Sequence, residues 1–401
     1  MTWGFADRPS RFAAGKMGRI RQSGIRRVAE KAWKLEAEGH EVIHLEVGRV
    51  DFDTPQPVKE AAMRAMREGQ VHYTPSPGLP ALREAVAADL KRRLGMEVDP
   101  AREVLITVGS STAIMISLMT VLGPGDEILV PEPMYLFYVD WGEFFGARTV
   151  SVPLRPEDGY QISREALERC ATSRTKVVVI NTPHNPTGAV LDRASLEAVA
   201  AFARERDLLV LSDEAYDRLV YPPWGHTSIT TFPGMKERTV LTNSFSKSFA
   251  MDGWRLGYVV GPADLIWEID KAQQHTVITA TNFVQWGGVA ALQGGDALVQ
   301  PMVEEYAGRR QLVLDLLASA PFLQAFEPQG AFYFWIRTPP MGGGDGWELA
   351  DVLLERARVA VTPGEVFGPS GRGHIRVSYS NSREKIRIGM ERLIEVIGEL
   401  R

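Results

Sequence analysis

A single cysteine, Cys170, stands in a chain of 401 residues. It leaves no partner for an intrachain disulfide and no thiolate cage for a metal, which points to a reducing, cytoplasmic setting. Long apolar runs are missing as well. Nowhere do 18 apolar residues follow one another, and the first twenty residues lack the apolar centre of a signal peptide. Neither a membrane span nor secretion is expected. Charge of one sign is also scarce: the formal net charge is −5, with no basic stripe for nucleic acid. Arg8, Arg11, Lys16, Arg19, Arg21, Arg26 and Arg27 do cluster near the start, but acids follow at once, as on a solvated helix face or an extended arm. No metal site is expected, because His184 and His226 have no ligand spacing and read as loop residues. Gly342-Gly343-Gly344 has no lysine behind it, so it reads as a flexible loop rather than a phosphate-binding one.

What is present is an ordinary globular composition, 45% hydrophobic and 24% charged, in a chain long enough for one large domain and a smaller one. The first twenty residues are polar with scattered Trp3, Phe5 and Phe12, as in an arm that packs on another surface. Helical spacing of Val28, Ala32, Trp33 and Leu35 predicts a helix over 23–38, then a strand over 42–47 and helices over 56–68 and 80–94. Apolar strand-like runs then recur at 104–108, 127–130, 148–152, 176–180, 208–212, 239–243 and 256–260. Amphipathic stretches at 111–122, 134–145, 163–170 and 193–206 separate most of them. That alternation predicts an α/β fold with a mostly parallel sheet flanked by helices. Long helices over 262–293 and 298–319 follow. The last hundred residues mix strands (331–337, 358–362, 374–379) with helices (346–357, 382–400), a change of rhythm that predicts a smaller α+β domain.

In open parallel sheets ligands collect beyond the carboxyl ends of the strands, and four runs end there in polar residues. Gly109-Ser110-Ser111-Thr112 opens a helix, whose free amides suit an anion, although a plain serine N-cap accounts for it equally. Asn181-Thr182-Pro183-His184-Asn185-Pro186-Thr187-Gly188 is a stiff loop that would present the Asn185 amide, or is simply a proline turn. Ser212-Asp213-Glu214-Ala215-Tyr216 places a carboxylate at a buried strand end, where it needs a cation: a protonated pyridine nitrogen, or an arginine. Ser244-Phe-Ser246-Lys247 with Arg255 eight residues on surrounds an amine with hydroxyls and a fixed positive charge. The neighbouring cation favours the deprotonated amine that Schiff-base chemistry requires. A phosphate seat, an amide, a carboxylate and an amine at one sheet edge are what pyridoxal phosphate needs from a protein.

The order Asn185-Pro186-Thr187-Gly188, Ser212-Asp213-Glu214-Ala215-Tyr216, Ser244-x-Ser-Lys247 and Gly253-Trp254-Arg255-Leu256-Gly257-Tyr258 resembles the fold-type I, pyridoxal-phosphate-dependent class I/II aminotransferases. The resemblance runs from Gly48 to the Arg376 segment. It implies a large cofactor domain over 52–296, a small domain from 14–51 and 297–401, and an arm over 1–13. By position, Lys247 would bind the cofactor aldehyde as a Schiff base and shuttle the proton. Asp213 would pair with the pyridine nitrogen, Asn185 and Tyr216 would bond the ring 3-oxygen, and Tyr135 would stack on the ring. Ser110, Ser111, Ser244, Ser246 and Arg255 would hold the phosphate, joined by Tyr73 from a second subunit, which implies a homodimer with shared sites. Arg376 would grip the substrate α-carboxylate with a planar fork, assisted by Asn185 and Gly48.

Two departures from the family pattern bear on specificity. Gly48-Arg49-Val50-Asp51-Phe52 replaces Gly-Glu-Pro-Asp-Phe, so Arg49 is a candidate contact for an anionic or polar substrate tail, or an outward-facing arginine. Ser111 stands where aspartate-specific members often carry lysine, which weakens a simple aspartate assignment. The reaction the resemblance implies is transamination between an L-amino acid and a 2-oxo acid, with roles in amino acid metabolism and biosynthesis. The same residue set also serves β-eliminating carbon–sulfur lyases and oxidative or decarboxylating variants. A cofactor-sensing regulator would need a DNA-binding domain ahead of the fold, and the motif pattern begins within the first fifty residues.

Overall fold

The structure is a computed structural model that describes residues 10–20, 22–340 and 345–401. Trp3, Phe5 and the rest of the first nine residues of the expected arm, Arg21, and Gly342-Gly343-Gly344 lie outside the described residues. Helix α1 (Gly24–Ala37) opens where the Ser23 side chain accepts the Arg26 amide. Strand β1 (Ile43–His44) is followed by α2 (Gln56–Arg67) and α3 (Pro80–Leu94), each with a proline in the first turn, where no intrahelical amide bond is lost.

Strand and helix then alternate as the sequence predicts. The order is β2 (Val104–Thr107), α4 (Ser110–Val121), β3 (Glu127–Glu132), α5 (Phe137–Phe144), β4 (Arg148–Pro153), α6 (Arg164–Cys170) and β5 (Thr175–Asn181). It continues through α7 (Arg193–Glu205), β6 (Leu209–Asp213), β7 (Thr239–Ser244), the single turn α8 (Phe245–Ser248) and β8 (Gly257–Val260). These strands form one seven-stranded sheet in the order β2-β8-β7-β6-β5-β3-β4. Strand β8 alone runs against its neighbours β2 and β7, and the other pairs are parallel. The link from β7 to β8 holds one α-helical turn and one 3-10 turn, at Asp252–Trp254, and no helix long enough to cross back over the sheet. Val177, Val178, Val179 and Ile180 are all essentially inaccessible, as expected of strands covered on both faces. The fold is α/β, with a mostly parallel sheet flanked by helices.

Three expectations are corrected. The segment 262–293 is two helices, α9 (Ala263–Thr276) and α10 (Asn282–Gly294), broken where Ile278 takes a left-handed φ of 67°. The Gln273 side chain fixes the break by donating to the Ser76 and Ile106 carbonyls. Helix α5 begins at Phe137 rather than near 134, because the Met134 amide bonds the distant Phe367 carbonyl at 2.8 Å. The strand expected at 358–362 is two pieces with different partners.

After α11 (Asp296–Ala318) come β9 (Gln324–Ala325), β10 (Tyr333–Arg337), α12 (Gly346–Val352), β11 (Val359–Ala360), β12 (Thr362–Pro363), β13 (His374–Ser378) and α13 (Arg383–Glu399). Strands β12-β13-β10-β9 form an antiparallel sheet, and β1 pairs with β11 in parallel. Residues from the N-terminal and C-terminal parts of the chain therefore share the two-stranded sheet. The register sets Trp335 opposite Arg376.

Candidate active site

Because β8 is antiparallel, its amino end meets the carboxyl ends of β2, β3, β5, β6 and β7 at one edge of the sheet. A cavity of about 400 Å³ opens there, and Ser110, Asn185, Asp213, Lys247 and Arg376 are among its lining residues. The polar strand ends singled out in the sequence thus meet in one place.

Lys247 projects from α8, and its Nζ donates to the Gly48 carbonyl at 2.6 Å. Burial lowers its pKa to about 8, helped by Arg376 and Arg255 and opposed by Asp252. The sequence argument credited the neighbouring cation; desolvation is the larger cause. Gly48 must be glycine, since a Cβ there would stand 1.9 Å from the Tyr333 hydroxyl. Its carbonyl, not its amide, is the group turned to the amine.

Asp213 ends β6 and is 5% exposed. Tyr138 donates to its Oδ2 at 2.6 Å and the Ala215 amide to its Oδ1 at 3.2 Å. Burial outweighs both bonds and raises the carboxyl to about 6. Among the described residues no cation forms an ion pair with it. Behind it, Glu214 accepts from Ser212 and Ser228 and lies 2.8 Å from His226 Nε2. His226 and His184 are loop residues, as expected, yet both are deep. His184 bonds Thr187, and burial takes its pKa down to about 4.

Asn181 ties two strand ends together: its Nδ2 donates to the Asp213 carbonyl and its Oδ1 accepts the Asn185 amide. Asn185 Oδ1 in turn accepts from Arg376 Nη1 at 3.0 Å. Arg376 also donates to the Glu46 carbonyl at 2.5 Å, and its guanidinium lies between the Tyr333 and Phe367 rings at 4.4 and 4.8 Å. It is 1% exposed, and its Nε has no protein partner. A buried, unpaired N–H of this kind is costly unless a ligand takes it, and a carboxylate matches the fork.

Tyr216 lies 2.8 Å from Tyr333, hydroxyl to hydroxyl. Tyr135 stands next to Tyr138, and the Ser111 hydroxyl hydrogen-bonds its phenol. Ser110 opens α4 after Gly109, whose φ of 82° leaves no room for a side chain: a Cβ would meet the Arg255 guanidinium at 2.6 Å. Arg255 itself adopts φ 55° and donates to the Asp252 carbonyl. The Ser244 hydroxyl accepts the Ser246 amide, and both serines are buried. Ser110 at the start of α4 lines the cavity, and the Arg255 guanidinium stands beside Gly109; a helix start next to a fixed cation is anion-binding chemistry. The donor set fits pyridoxal phosphate: an anion seat, an unpaired buried carboxylate for a ring N–H⁺, and a readily deprotonated amine.

Six expected site residues are not among those lining the cavity: Ser111, Ser244, Ser246 and Arg255, around the starts of α4, α8 and β8, and Tyr73 and Arg49. Tyr73 is 78% exposed and outside the cavity, on a loop held by a bond from Asn282 to the His72 carbonyl and by the Thr74–Thr279 hydroxyl pair. The Arg49 side chain is 78% exposed and 4.0 Å from Asp252, and it is not among the residues lining the cavity, in keeping with the outward-facing alternative. Ser380 Oγ bonds the Arg49 carbonyl and Arg309 pairs with Asp51, which holds this loop with the arginine outward. Sequence reasoning missed Tyr138, Tyr333, Asn181 and the face of α1. Tyr138 sits in an aromatic run that reads as core, and Tyr333 carried no functional mark in the sequence.

A pyridoxal-phosphate site at the edge of a mostly parallel sheet defines the class, and comparison with known proteins gives the family. The family model for aminotransferase class I and II matches residues 40–393. An aspartate aminotransferase of Musicola paradisiaca is 39% identical over 97% of this chain and 97% of its own. Aromatic-amino-acid aminotransferase 2 of Thermococcus litoralis is 37% identical over 95% of this chain and 97% of its own. A structure of the Thermus thermophilus aspartate aminotransferase with maleate superposes with a TM-score of 0.91 at 37% identity, covering 96% of this chain and all of that one. The chain belongs to the class I and II aminotransferases, and is a pyridoxal-phosphate-dependent enzyme that exchanges an amino group between an amino acid and a 2-oxo acid.

Proposed function

We propose that transamination is carried by Lys247 as covalent anchor and proton carrier, Asp213 as counter-charge to the cofactor ring, and Arg376 as receptor for the substrate α-carboxylate. The observation that carries this reading is the Asp213 carboxylate, buried without a cation in the same cavity as an amine of lowered pKa. When bound, pyridoxal phosphate supplies an electron sink for the charge left on the substrate carbon when its Cα–H bond breaks. Lys247 Nζ, its pKa lowered to about 8, is the base that would accept and redeliver that proton. Tyr138 orients Asp213, whose charge would pair with the ring nitrogen. Asn185 and Tyr216 would bond the ring 3-oxygen, Tyr135 would cover one ring face, and Ser110, Ser111, Ser244, Ser246 and Arg255 would hold the phosphate. Arg376 offers its free Nε edge to the substrate while Asn185 keeps the guanidinium in plane.

We also infer a cytoplasmic homodimer in which Tyr73 completes the phosphate seat of the other subunit, since a tyrosine 78% exposed has no task within its own chain. In this reading residues 52–296 form the cofactor domain and 14–51 with 297–401 the small domain.

The test is to mix the holoenzyme with amino acids and no 2-oxo acid, following the cofactor absorbance. One stoichiometric conversion to the amine form, reversed by a 2-oxo acid, is expected, with Lys247→Ala slower by a factor of about 10⁴ or more. Continuous release of pyruvate or ammonia with no accumulation of the amine form would instead make the enzyme a lyase or an oxidative variant.

A further inference from the structure

The wall left for the substrate side chain is built mainly by α1, whose stripes face different neighbours. Val28 and Ala32 are buried with Leu354 and Ala360. Ile25, Ala29 and Trp33, also spaced by four, lie on another stripe and line the active-site cavity, faced by Leu136 and Phe137. With the substrate carboxylate on Arg376 and its amine near Lys247, this apolar wall is where the side chain must go. Ala29 is the smallest residue of the stripe, and Trp33 is 56% exposed beside the cavity. A large ring left in solvent at the lip of a cavity is a surface waiting for a planar or apolar partner. Three cations line the cavity: Arg376, Lys247 and Arg26. The first two are engaged by the α-carboxylate and the cofactor. Arg26 is exposed, next to Ile25, and among the described lining residues is the cation left for a second substrate carboxylate.

Resting on the aminotransferase reading above, we propose that the α1 stripe selects amino donors with an aromatic or large apolar side chain, seated over Ala29 between Ile25 and Trp33. The experiment uses the holoenzyme with phenylalanine, leucine, alanine and aspartate in the half-reaction, and calorimetric titration with the unreactive acids 3-phenylpropanoate and succinate. Phenylalanine is expected to exceed alanine and aspartate in kcat/KM by about tenfold or more, the discrimination available to an apolar pocket. The aromatic acid is expected to bind more tightly than succinate. Ala29→Leu fills the space, and is expected to cut the phenylalanine-to-alanine ratio and the binding of 3-phenylpropanoate by about tenfold. Trp33→Ala should move both in the same direction, and as a partly exposed position it leaves folding intact. A preference for aspartate and succinate that disappears in Arg26→Gln would overturn the proposal and make Arg26 the receptor. Ratios unchanged in both Ala29→Leu and Trp33→Ala would overturn it too, with the aminotransferase reading intact as long as any donor converts the cofactor. Failure of every donor to convert the cofactor would instead overturn both readings together.

Discussion

Asp213 shows how function and stability pull against each other at a single side chain. Its carboxyl is raised from 3.8 to about 6 by burial, so between those pH values the folded apo-protein holds a proton that the unfolded chain has lost. Stability of the apo-protein therefore falls as pH rises from about 4 to 6, and above 6 the ionised carboxylate, without a cation, costs about 3 kcal/mol. Asp213→Asn removes the charge and keeps the shape. At pH 7 the variant apo-protein should melt higher than wild type, and the gap should close near pH 4. Bound cofactor should abolish it as well, because a ring cation then lowers the wild-type pKa. Transamination should fall by about 10² or more, since the counter-charge is gone. Thermal melts of apo- and holo-protein at pH 4 and 7, with half-reaction rates, check both halves. The sequence made Asp213 legible because a carboxylate at the end of an apolar strand demands a partner. Tyr138, which meets that demand in part, was not legible, because a tyrosine in an aromatic run reads as core.

At the scale of elements, the site depends on backbone approaching backbone. Gly48 follows β1 and gives Lys247 its carbonyl only because nothing stands between the glycine and Tyr333 on β10. Gly48→Ala would place a methyl 1.9 Å from the Tyr333 hydroxyl and 2.9 Å from the ring carbon bearing it. The loop must shift, and the substrate Michaelis constant should rise about tenfold or more, given how steeply catalysis depends on positions to within an ångström. The double variant with Tyr333→Phe should recover part of the loss, whereas Tyr333→Phe alone tests the hydroxyl pair with Tyr216. Steady-state kinetics of the three proteins, with circular dichroism to check folding, decide the matter. Alternating apolar runs gave the strands and the sheet class, since periodicity reports burial. The break at Ile278 left no trace in the sequence, because a β-branched residue at positive φ contradicts its local preference. The tertiary bonds from Gln273 override it.

At the scale of the whole molecule, Tyr73 and Lys247 separate what one chain does alone from what two do together. If each site takes its tyrosine from the other subunit, Lys247→Ala and Tyr73→Ala defects lie in different chains of a mixed dimer. One hybrid site then carries both defects and the other carries none. Mixing the two variants and refolding them together, at limiting cofactor, should restore about a quarter of wild-type activity, the statistical share of intact sites. No recovery would place Tyr73 in its own subunit's site or outside any site. Little of this arrangement could be read from residues alone; family resemblance supplied it, and the exposure of Tyr73 is the physical reason to keep it.

The reversed strand β8 has one more consequence, for the order in which the site assembles. Contacts such as Lys247 with Gly48 and Arg376 with Asn185 span 199 and 191 residues of chain, and each closes a long loop against its entropy. The turn between β7 and β8 brings the Lys247 amine, the proposed cofactor anchor, and the Arg255 guanidinium, the proposed phosphate contact, within eight residues, an inexpensive local closure. The nucleophile and its anion-binding neighbour are thus one hairpin-like unit, able to form before the rest of the chain has found its place. Arg376 on β13, by contrast, is placed only by long-range closure: its bond to the Glu46 carbonyl spans 330 residues of chain.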